Sequence, residues 1–555
     1  MTGAAIPAGV EPRRARAGWL RALWRGRPPS AAALLVALAI TAFMAMPLAY
    51  VLYRGLSGGA DTWSQLWDTR IPELMRNTIE LTVAVSLCTA LLGGGLAWIV
   101  VRTDVPLRDL WSWLLAVPLV VPPYVGAFVY IAFLGPRGWV YDWTDGAWTF
   151  PEFYGQRGAT LVLTLFTYPY VFLTTSAALR RFNPAFREAA AVAGANGWRR
   201  FLTITVPMAR PALSAGVMLV ALYVLSDFGT VSLLRERTFT QEIYRQLTGR
   251  FDRSAASALS TVLICMTLIL LFSQTLLQGR ARYYQDAGAA WRPAPLVRLG
   301  WWKWPALALI LATLALALLL PIGTLIYWTV EGLRDDSTAA QVWSTSSGGL
   351  PGYAWNSIWS AGVAATIGAL LALAVASLRA RHPGPASGAI EKVAQAGYAL
   401  PGVIVALSVV FMLNNYIPVI YGTVFAVIIA YVLRFFPQAY QSTSAAYLQA
   451  SPAVEDAART MGRPPWRATL EVTVPLIAPG LLTGWALIFI TALKELPATL
   501  LLRPAGFDTL PVRIWIQSSE GVFTLAAPAA LVLIACSSVP MVFLILRSRM
   551  TDTRF

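Results

Sequence analysis

The chain is dominated by long, unbroken apolar blocks, each about as long as a helix that crosses a membrane. Such a helix takes about 20 mostly apolar residues, and the sequence offers about twelve blocks of that kind. The blocks predict an all-α membrane protein with about 12 transmembrane helices. They lie near residues 31–53, 79–101, 110–134, 159–179, 211–231, 256–278, 304–328, 357–378, 394–414, 417–436, 476–493 and 524–546.

The composition agrees with a membrane protein and argues against several other classes. Charged residues make up 13% of the chain, whereas a soluble domain carries about 25%. The net charge of +16 comes largely from arginines in short loops between apolar blocks, which favours membrane topology over nucleic-acid binding. One histidine and three cysteines without metal-type spacing argue against a haem, copper or zinc enzyme. We therefore predict no catalytic residues and no nucleic-acid partner, with the lipid bilayer as the surroundings and any metal ligands unknown.

The basic residues also predict how the chain is oriented. Cytoplasmic loops of membrane proteins carry an excess of Lys and Arg. Placing the N-terminus inside puts about 29 basic residues on the cytoplasmic side and about 14 outside. The loop 232–255 is an exception, because it is basic and is predicted to face outside. Both termini are therefore predicted to be cytoplasmic, and the first apolar block is too long for a cleaved signal peptide.

The two halves of the sequence align with each other, which predicts an internal repeat. The matched pairs fall at two offsets: Asn77 with Asn356, Arg102 with Arg381 and Pro106 with Pro385, then Pro184 with Pro452, Gly194 with Gly462, Trp198 with Trp466 and Pro207 with Pro475. Each half holds an even number of spans, so both halves have the same orientation. The repeats are therefore parallel, with a pseudo-two-fold axis along the membrane normal.

The repeat also predicts a domain organisation. The boundaries are a basic cytoplasmic tail (1–30), a first transmembrane domain (31–279), a cytoplasmic linker (280–303), a second transmembrane domain (304–547) and a second tail (548–555). The first half is longer because of the tryptophan-rich loop 135–157, which is predicted to face outside.

Each half contains one patterned loop, at 187–207 and 455–475, on the predicted cytoplasmic side. Each loop begins with an alanine-rich stretch of high helix propensity. Asn183-Pro184 and Ser451-Pro452 provide an N-cap and a first-turn proline. Gly194 and Gly462 are then expected to end or bend these short helices.

These loops resemble the EAA loop of the permeases of ABC importers, and they are called the EAA-type loops below. The matching residues are Glu188, Ala189, Ala190, Gly194 and Pro207 in the first loop, and Asp456, Ala457, Ala458, Gly462 and Pro475 in the second. The second loop departs from the family in having Asp for Glu, and Glu455, one position earlier, is a further candidate for that role. The resemblance implies a coupling helix that docks on an ATP-hydrolysing subunit, and a type I importer fold. The alternative is an amphipathic helix lying on the lipid surface.

The sequence contains no phosphate-binding G-x-x-x-x-G-K-[ST] motif. The resemblance therefore implies two separate ATP-binding cassette subunits as partners. ATP and magnesium are expected on those subunits, with no cofactor bound by this chain.

A second resemblance is carried by the stretches 119–130, 225–234, 398–411 and 493–510. Through these stretches the whole chain is similar to the fused two-domain permeases of the ferric iron uptake family. It implies ferric iron as the substrate, a periplasmic or lipid-anchored substrate-binding protein as partner, and a bacterial cytoplasmic membrane as location. Relatives that carry thiamine or other small solutes share much of this pattern, so both substrates stay open.

One acidic pair fits the handling of a cation. Asp227 and Glu495 occupy matching repeat positions near the predicted outer ends of their helices. A carboxylate close to a membrane span is costly and is often functional, and hard oxygen ligands suit a ferric ion. These residues are candidates for the substrate pathway or an outer gate. The alternative is structural, with Glu495 paired to Lys494 and Asp227 capping a loop.

Three other classes of membrane protein compete with the importer permease. A secondary transporter also has twelve helices in two parallel halves, but paired EAA-type loops are not expected in one. A membrane-bound enzyme needs catalytic residues that the sequence does not supply. A channel is expected to carry a filter-like segment, which neither half contains.

Overall fold

The computed structural model describes residues 23–24, 28–136, 138–147, 153–180, 185–278, 296–343 and 348–552. Over this part of the chain the backbone is helical, and its only strand-like feature is an isolated residue pairing between Thr103 and Val297. The first half forms α1 (Ala31–Leu56), α2 (Gly59–Thr69), α3 (Ile71–Arg102), α4 (Arg108–Leu114), α5 (Pro123–Leu134), α6 (Trp139–Trp143), α7 (Gln156–Arg180), α8 (Ala185–Val192), α9 (Gly197–Ser226), α10 (Gly229–Leu233), α11 (Phe239–Arg245) and α12 (Arg253–Gln278).

The second half has helices of the same kind. They are α13 (Gly300–Arg334), α14 (Asp336–Trp343), α15 (Gly349–Arg381), α16 (Pro385–Ala394), α17 (Gly402–Tyr416), α18 (Val424–Gln449), α19 (Pro452–Thr460), α20 (Trp466–Leu493), α21 (Pro497–Leu502), α22 (Leu510–Ser519) and α23 (Phe523–Asp552). Most of the predicted tail 1–30 and most of the linker 280–303 lie outside the described residues.

The helices account for the predicted membrane spans with three differences, one of which is that the span predicted at 417–436 lies at Val424–Gln449. Ten helices of the described residues are long and apolar enough to cross a membrane, or 11 if one bent pair counts as a single span. The bent pair replaces the predicted span 110–134, since the chain turns by 89° between 108–120 and 123–143. Pro122 and Pro123 cause this break, because proline lacks the N–H that continues a helix. The predicted span 394–414 is likewise shortened, to α17, because Pro401 precedes the helix and cannot extend it backward.

One compact unit comprises Tyr50–Trp359, Ala399–Val427 and Leu493–Phe555. Its most extensive packing joins α3, α7 and α9. Gly93 makes this packing close, since a Cβ there would lie 2.7 Å from the Tyr168 carbonyl oxygen of α7. In the same unit α13 packs on α23, and α17 packs on α21. Helices from both halves of the sequence therefore share one core.

The other compact unit comprises Met1–Ala49, Ser360–Tyr398 and Ile428–Ala492. Here α18 and α20 approach closely through small residues. A Cβ added to Gly480 would lie 2.4 Å from Ala446 Cβ, and one added to Gly484 would lie 2.8 Å from Ala439 Cα. Small residues at helix contacts are the usual way in which membrane helices gain packing area.

Candidate functional site: the EAA-type loops and the acidic caps

The EAA-type loops fold into short helices, as the sequence predicts. Ser451 is the N-cap of α19, with its hydroxyl accepting a hydrogen bond from Ala453 N at 3.3 Å, and Pro452 begins the helix. Gly462 follows α19 with φ +87°, and Gly194 follows α8 with φ +80°. Because the left-handed region favours glycine, each glycine lets the chain leave its helix. The predicted cap Asn183-Pro184 lies outside the described residues.

The second part of each loop is continuous with the membrane helix that follows it. The sequence predicts a separate amphipathic stretch ending at Pro207 and Pro475, whereas the structure has unbroken helices, α9 and α20. Each contains one π-helical turn, at Phe201–Thr205 and Thr469–Thr473, just before the proline. A π turn shifts the backbone hydrogen bonding, so the helix continues past a residue without an N–H. Each loop is therefore joined to the membrane span that follows it by a continuous helix.

The Glu455 side chain is buried, and 4% of the residue is exposed. One carboxylate oxygen accepts from Arg459 at 2.6 Å. The other lies 2.5 Å from the Arg381 guanidinium and accepts from Thr473 Oγ1 at 2.9 Å. Arg381 is the last residue of α15 and also lies over the Tyr447 ring at 5.8 Å. The carboxylate of α19 thus contacts the last residue of α15 and the π turn of α20.

The other predicted residues of these loops divide into exposed and buried positions. Asp456 and Ala457 are exposed on α19, and Ala458 is buried. In α8, Ala189 is exposed and Ala190 is half-buried, while the side chain of Glu188 lies outside the described residues. Glu455 is therefore a buried acid with an exposed acid, Asp456, directly after it in the sequence.

Large apolar side chains are exposed on both loops at matching repeat positions, a feature that the sequence analysis missed. The repeat pairs are Phe186 (54% exposed) with Val454 (47%), Trp198 (68%) with Trp466 (60%), and Leu202 (47%) with Leu470 (55%). The tryptophan match was visible in the sequence, but sequence alone does not show whether a tryptophan is exposed. Each loop thus presents an uncovered apolar face, called the loop face below.

Asp227 and Glu495 are both buried, at 7% and 5% exposure, and both accept hydrogen bonds from the first turn of a short helix. Asp227 Oδ2 accepts from Thr230 N at 3.1 Å and Val231 N at 3.2 Å in α10. Glu495 Oε1 accepts from Ala498 N at 3.2 Å in α21. For Asp227, this is the structural role that the sequence analysis kept as an alternative.

The loops that carry these two carboxylates meet in one unit. A Cβ on Gly229 would lie 3.0 Å from Leu496 Cδ2 and 2.8 Å from Tyr124 Cβ, so only glycine allows this approach. Lys494, which the structural alternative paired with Glu495, donates to the Leu119 carbonyl oxygen at 3.1 Å. No group of three or more His, Cys, Asp or Glu side chains in the described residues is arranged to hold a metal ion.

Comparison with known proteins identifies the family. The family described as "Binding-protein-dependent transport system inner membrane component" matches twice, at residues 90–283 and 364–552. The two matches confirm the internal repeat that the sequence predicts.

The curated relatives are transport permeases. The chain is 28% identical to the Fe(3+)-transport system permease protein FbpB 2 of Haemophilus influenzae, over 93% of this chain and 98% of that protein. It is 25% identical to the putative ferric transport system permease protein FbpB 1 of the same organism, over 82% of this chain and 73% of that protein. The sulfate transport system permease protein CysT of Escherichia coli is 27% identical over 40% of this chain and 82% of its own length.

The family model covers more than half of the chain, and the apolar helices make the protein a multi-pass membrane protein. The chain therefore belongs to the family of binding-protein-dependent transport system inner membrane components, as a two-domain permease of an ABC importer.

Proposed function

We propose that this permease imports ferric iron, driven by ATP that two separate cassette subunits hydrolyse. The similarity to a ferric permease covers 93% of this chain and 98% of that relative, whereas the similarity to a sulfate permease covers 40% of this chain and 82% of that relative. ATP and magnesium bind on the partner subunits, and no cofactor binds to this chain. Substrate crosses by alternating access.

The loop faces are the observation that carries the coupling part of the proposal. Trp198 and Trp466 stand at matching positions of the two repeats and expose 68% and 60% of their surfaces. Exposed aromatic residues in an otherwise folded loop are typical anchors of protein–protein interfaces. A permease with two such faces suits two copies of one ATPase partner, each covering one face.

The proposed orientation places both EAA-type loops and both termini in the cytoplasm of a bacterium. The excess of basic residues on that side supports it. A periplasmic or lipid-anchored binding protein then delivers substrate on the opposite side. Thiamine or another small solute is the alternative cargo for the same class of importer.

ATP hydrolysis by the reconstituted complex tests the proposal. The permease is placed in liposomes with the ATPase encoded nearest to its gene, and the cognate binding protein is added with ferric iron, with sulfate or with thiamine. We expect stimulation by the iron-loaded protein alone. We expect its loss in the variant Glu188→Arg plus Asp456→Arg, because reversing both charges disturbs both docking loops.

A matched control separates docking from general damage. Asp61 is exposed on α2, on the predicted outer side and away from the proposed ATPase site, so Asp61→Arg should leave binding of the ATPase intact, whereas the double variant should weaken it. Stimulation by sulfate or thiamine alone would retain the importer and overturn the assignment of iron. A folded permease that binds no ATPase would overturn the proposed energy source and favour a secondary transporter.

A further inference from the structure

Three helices meet at a single buried carboxylate beside the exposed surface of α19. Glu455 in α19 contacts Arg381 at the end of α15, Arg459 in its own helix and Thr473 in the π turn of α20. All four residues belong to the same compact unit. The helix that bears the second EAA motif is thus fastened to two neighbours by one side chain.

The carboxylate of Glu455 has little capacity left for a residue of another protein. Its two oxygens already accept from two guanidinium groups and a hydroxyl, and 4% of the residue is exposed. A buried charge is tolerated when it is paired and hydrogen-bonded, and removing one member of such a pair is strongly unfavourable. Glu455 therefore acts within the permease, whereas its neighbour Asp456 is exposed.

We infer that Glu455 is a positioning residue that transmits movement of α19 to α15 through Arg381, and that Asp456 is the acidic residue that faces the ATPase. The inference rests on the proposed function, because it assigns the second EAA-type loop a partner. Movement of α19 would then reach the membrane in two ways. One is the continuous helix α20, and the other runs from α19 through Arg381 into α15.

The first half supplies the same types of partner at the matching positions. Arg102 ends α3 as Arg381 ends α15, and it is 3% exposed. Thr205 lies in the π turn of α9 as Thr473 does in that of α20, and it is 4% exposed. The buried arginine and threonine thus recur in both halves, whereas the position that matches Glu455 is Arg187, so the carboxylate that links them in the second loop is specific to that loop.

The experiment measures whether α15 responds when the ATPase binds nucleotide. Cys88, Cys265 and Cys536 are replaced by serine, and a single cysteine is placed at Ser377, near the end of α15. Its labelling rate is measured with the ATPase bound, before and after ATP with vanadate. This readout needs no transported substrate, so it does not depend on the identity of the cargo.

The expected result is a nucleotide-dependent change in labelling that is strongly reduced in Glu455→Gln and in Arg381→Gln. Coupling free energies between sites usually correspond to factors of about 5–150, so we expect the response to fall by about tenfold. The double variant should lose no more than either single variant, because both remove one interaction. ATPase binding should persist in all three and weaken in Asp456→Asn.

A second ion pair in the same loop is the matched control. Arg463 and Glu471 lie 3.0 Å apart and are about half exposed, and exposed pairs contribute little, so Glu471→Gln should change the response by less than about twofold. A full response in Glu455→Gln with the ATPase bound would overturn the inference alone. A wild-type permease that binds no ATPase would overturn the proposed function and the inference with it.

Discussion

The ammonium group of Lys494 donates a hydrogen bond of 3.1 Å to the backbone carbonyl oxygen of Leu119. Leu119 lies in the turn before α5, and Lys494 lies in the turn after α20, so the bond ties two turns together. We predict that Lys494→Met destabilises the protein by about 1–3 kcal/mol, because the carbonyl loses a charged donor. Thermal unfolding in detergent measures this loss.

The repeat supplies the control for this prediction. Ser226 occupies the position that matches Lys494, and its hydroxyl donates locally to the Tyr223 carbonyl at 2.9 Å. Ser226→Ala should therefore change stability by less than about 0.5 kcal/mol. Equal effects of the two variants would show that the bond between the turns contributes nothing of its own.

Asp227 offers a test that separates helix capping from cation handling. Asn is as good an N-cap as Asp, so Asp227→Asn should keep both stability and transport close to wild type. Asp227→Ala removes the acceptor of Thr230 N and Val231 N, and should cost about 1–2 kcal/mol. Melting curves and iron uptake are measured on both variants. Loss of uptake in a stable Asp227→Asn protein would instead assign the charge a role in the pathway.

The positions of the spans follow from the sequence because the length of an apolar block is set by membrane thickness. The break at Pro122 and Pro123 is harder to predict from the sequence, since proline is also tolerated within membrane helices such as α7, which contains Pro169. Whether a proline bends a helix or ends it depends on neighbouring helices, which a single sequence does not show.

The second EAA-type loop shows where prediction of the site stops. Glu455 and Asp456 are adjacent, so they point in directions about 100° apart on a helix with 3.6 residues per turn. Which of them is buried depends on where Arg381 and Thr473 lie, and these residues come from distant parts of the chain. The sequence identified the motif, and only packing distinguishes its two acids.

Gly462 should be required because of its backbone conformation, and not because a side chain would clash with its neighbours. It has φ +87°, and no atom of the described residues lies within 4 Å of a Cβ placed on it. Gly462→Ala should therefore cost about 1–2 kcal/mol through backbone strain alone. Gly197→Ala is the control, because that site is equally open but has no positive φ. Denaturant melts that show equal stability for both variants would contradict this account.

Glu236 should make stability depend on pH. Burial raises the pKa of this carboxyl, and nearby Glu80 and Glu73 raise it further. Between the ordinary Glu pKa of about 4.3 and the raised value, the folded state binds more protons than the unfolded state. Stability therefore falls as pH rises through that window. Glu236→Gln should melt higher than wild type above the window, with the difference shrinking as pH falls through it.

The surroundings of Glu236 define the control for the pH series. Arg237 pairs with Glu73 at 3.3 Å, and Arg235 lies over the Tyr154 ring at 4.9 Å, so the neighbouring cations are already engaged. Glu520 is exposed after α22, and Glu520→Gln serves as the control for removing an exposed carboxylate. A constant difference between Glu236→Gln and wild type at every pH would show that the substitution acts through packing rather than through charge.

Removal of the exposed tryptophans should weaken binding of the ATPase. A residue at the centre of an interface contributes about 2 kcal/mol or more, so Trp198→Ser and Trp466→Ser should each raise Kd by about 30-fold. Trp143 has the same 68% exposure as Trp198 but lies in the loop predicted to face outside, so Trp143→Ser should leave Kd unchanged. Titration of the ATPase onto detergent-solubilised permease measures these constants. Wild-type affinity in both loop-face variants would show that the ATPase does not bind through these tryptophans, and would favour the alternative of helices lying on the lipid surface.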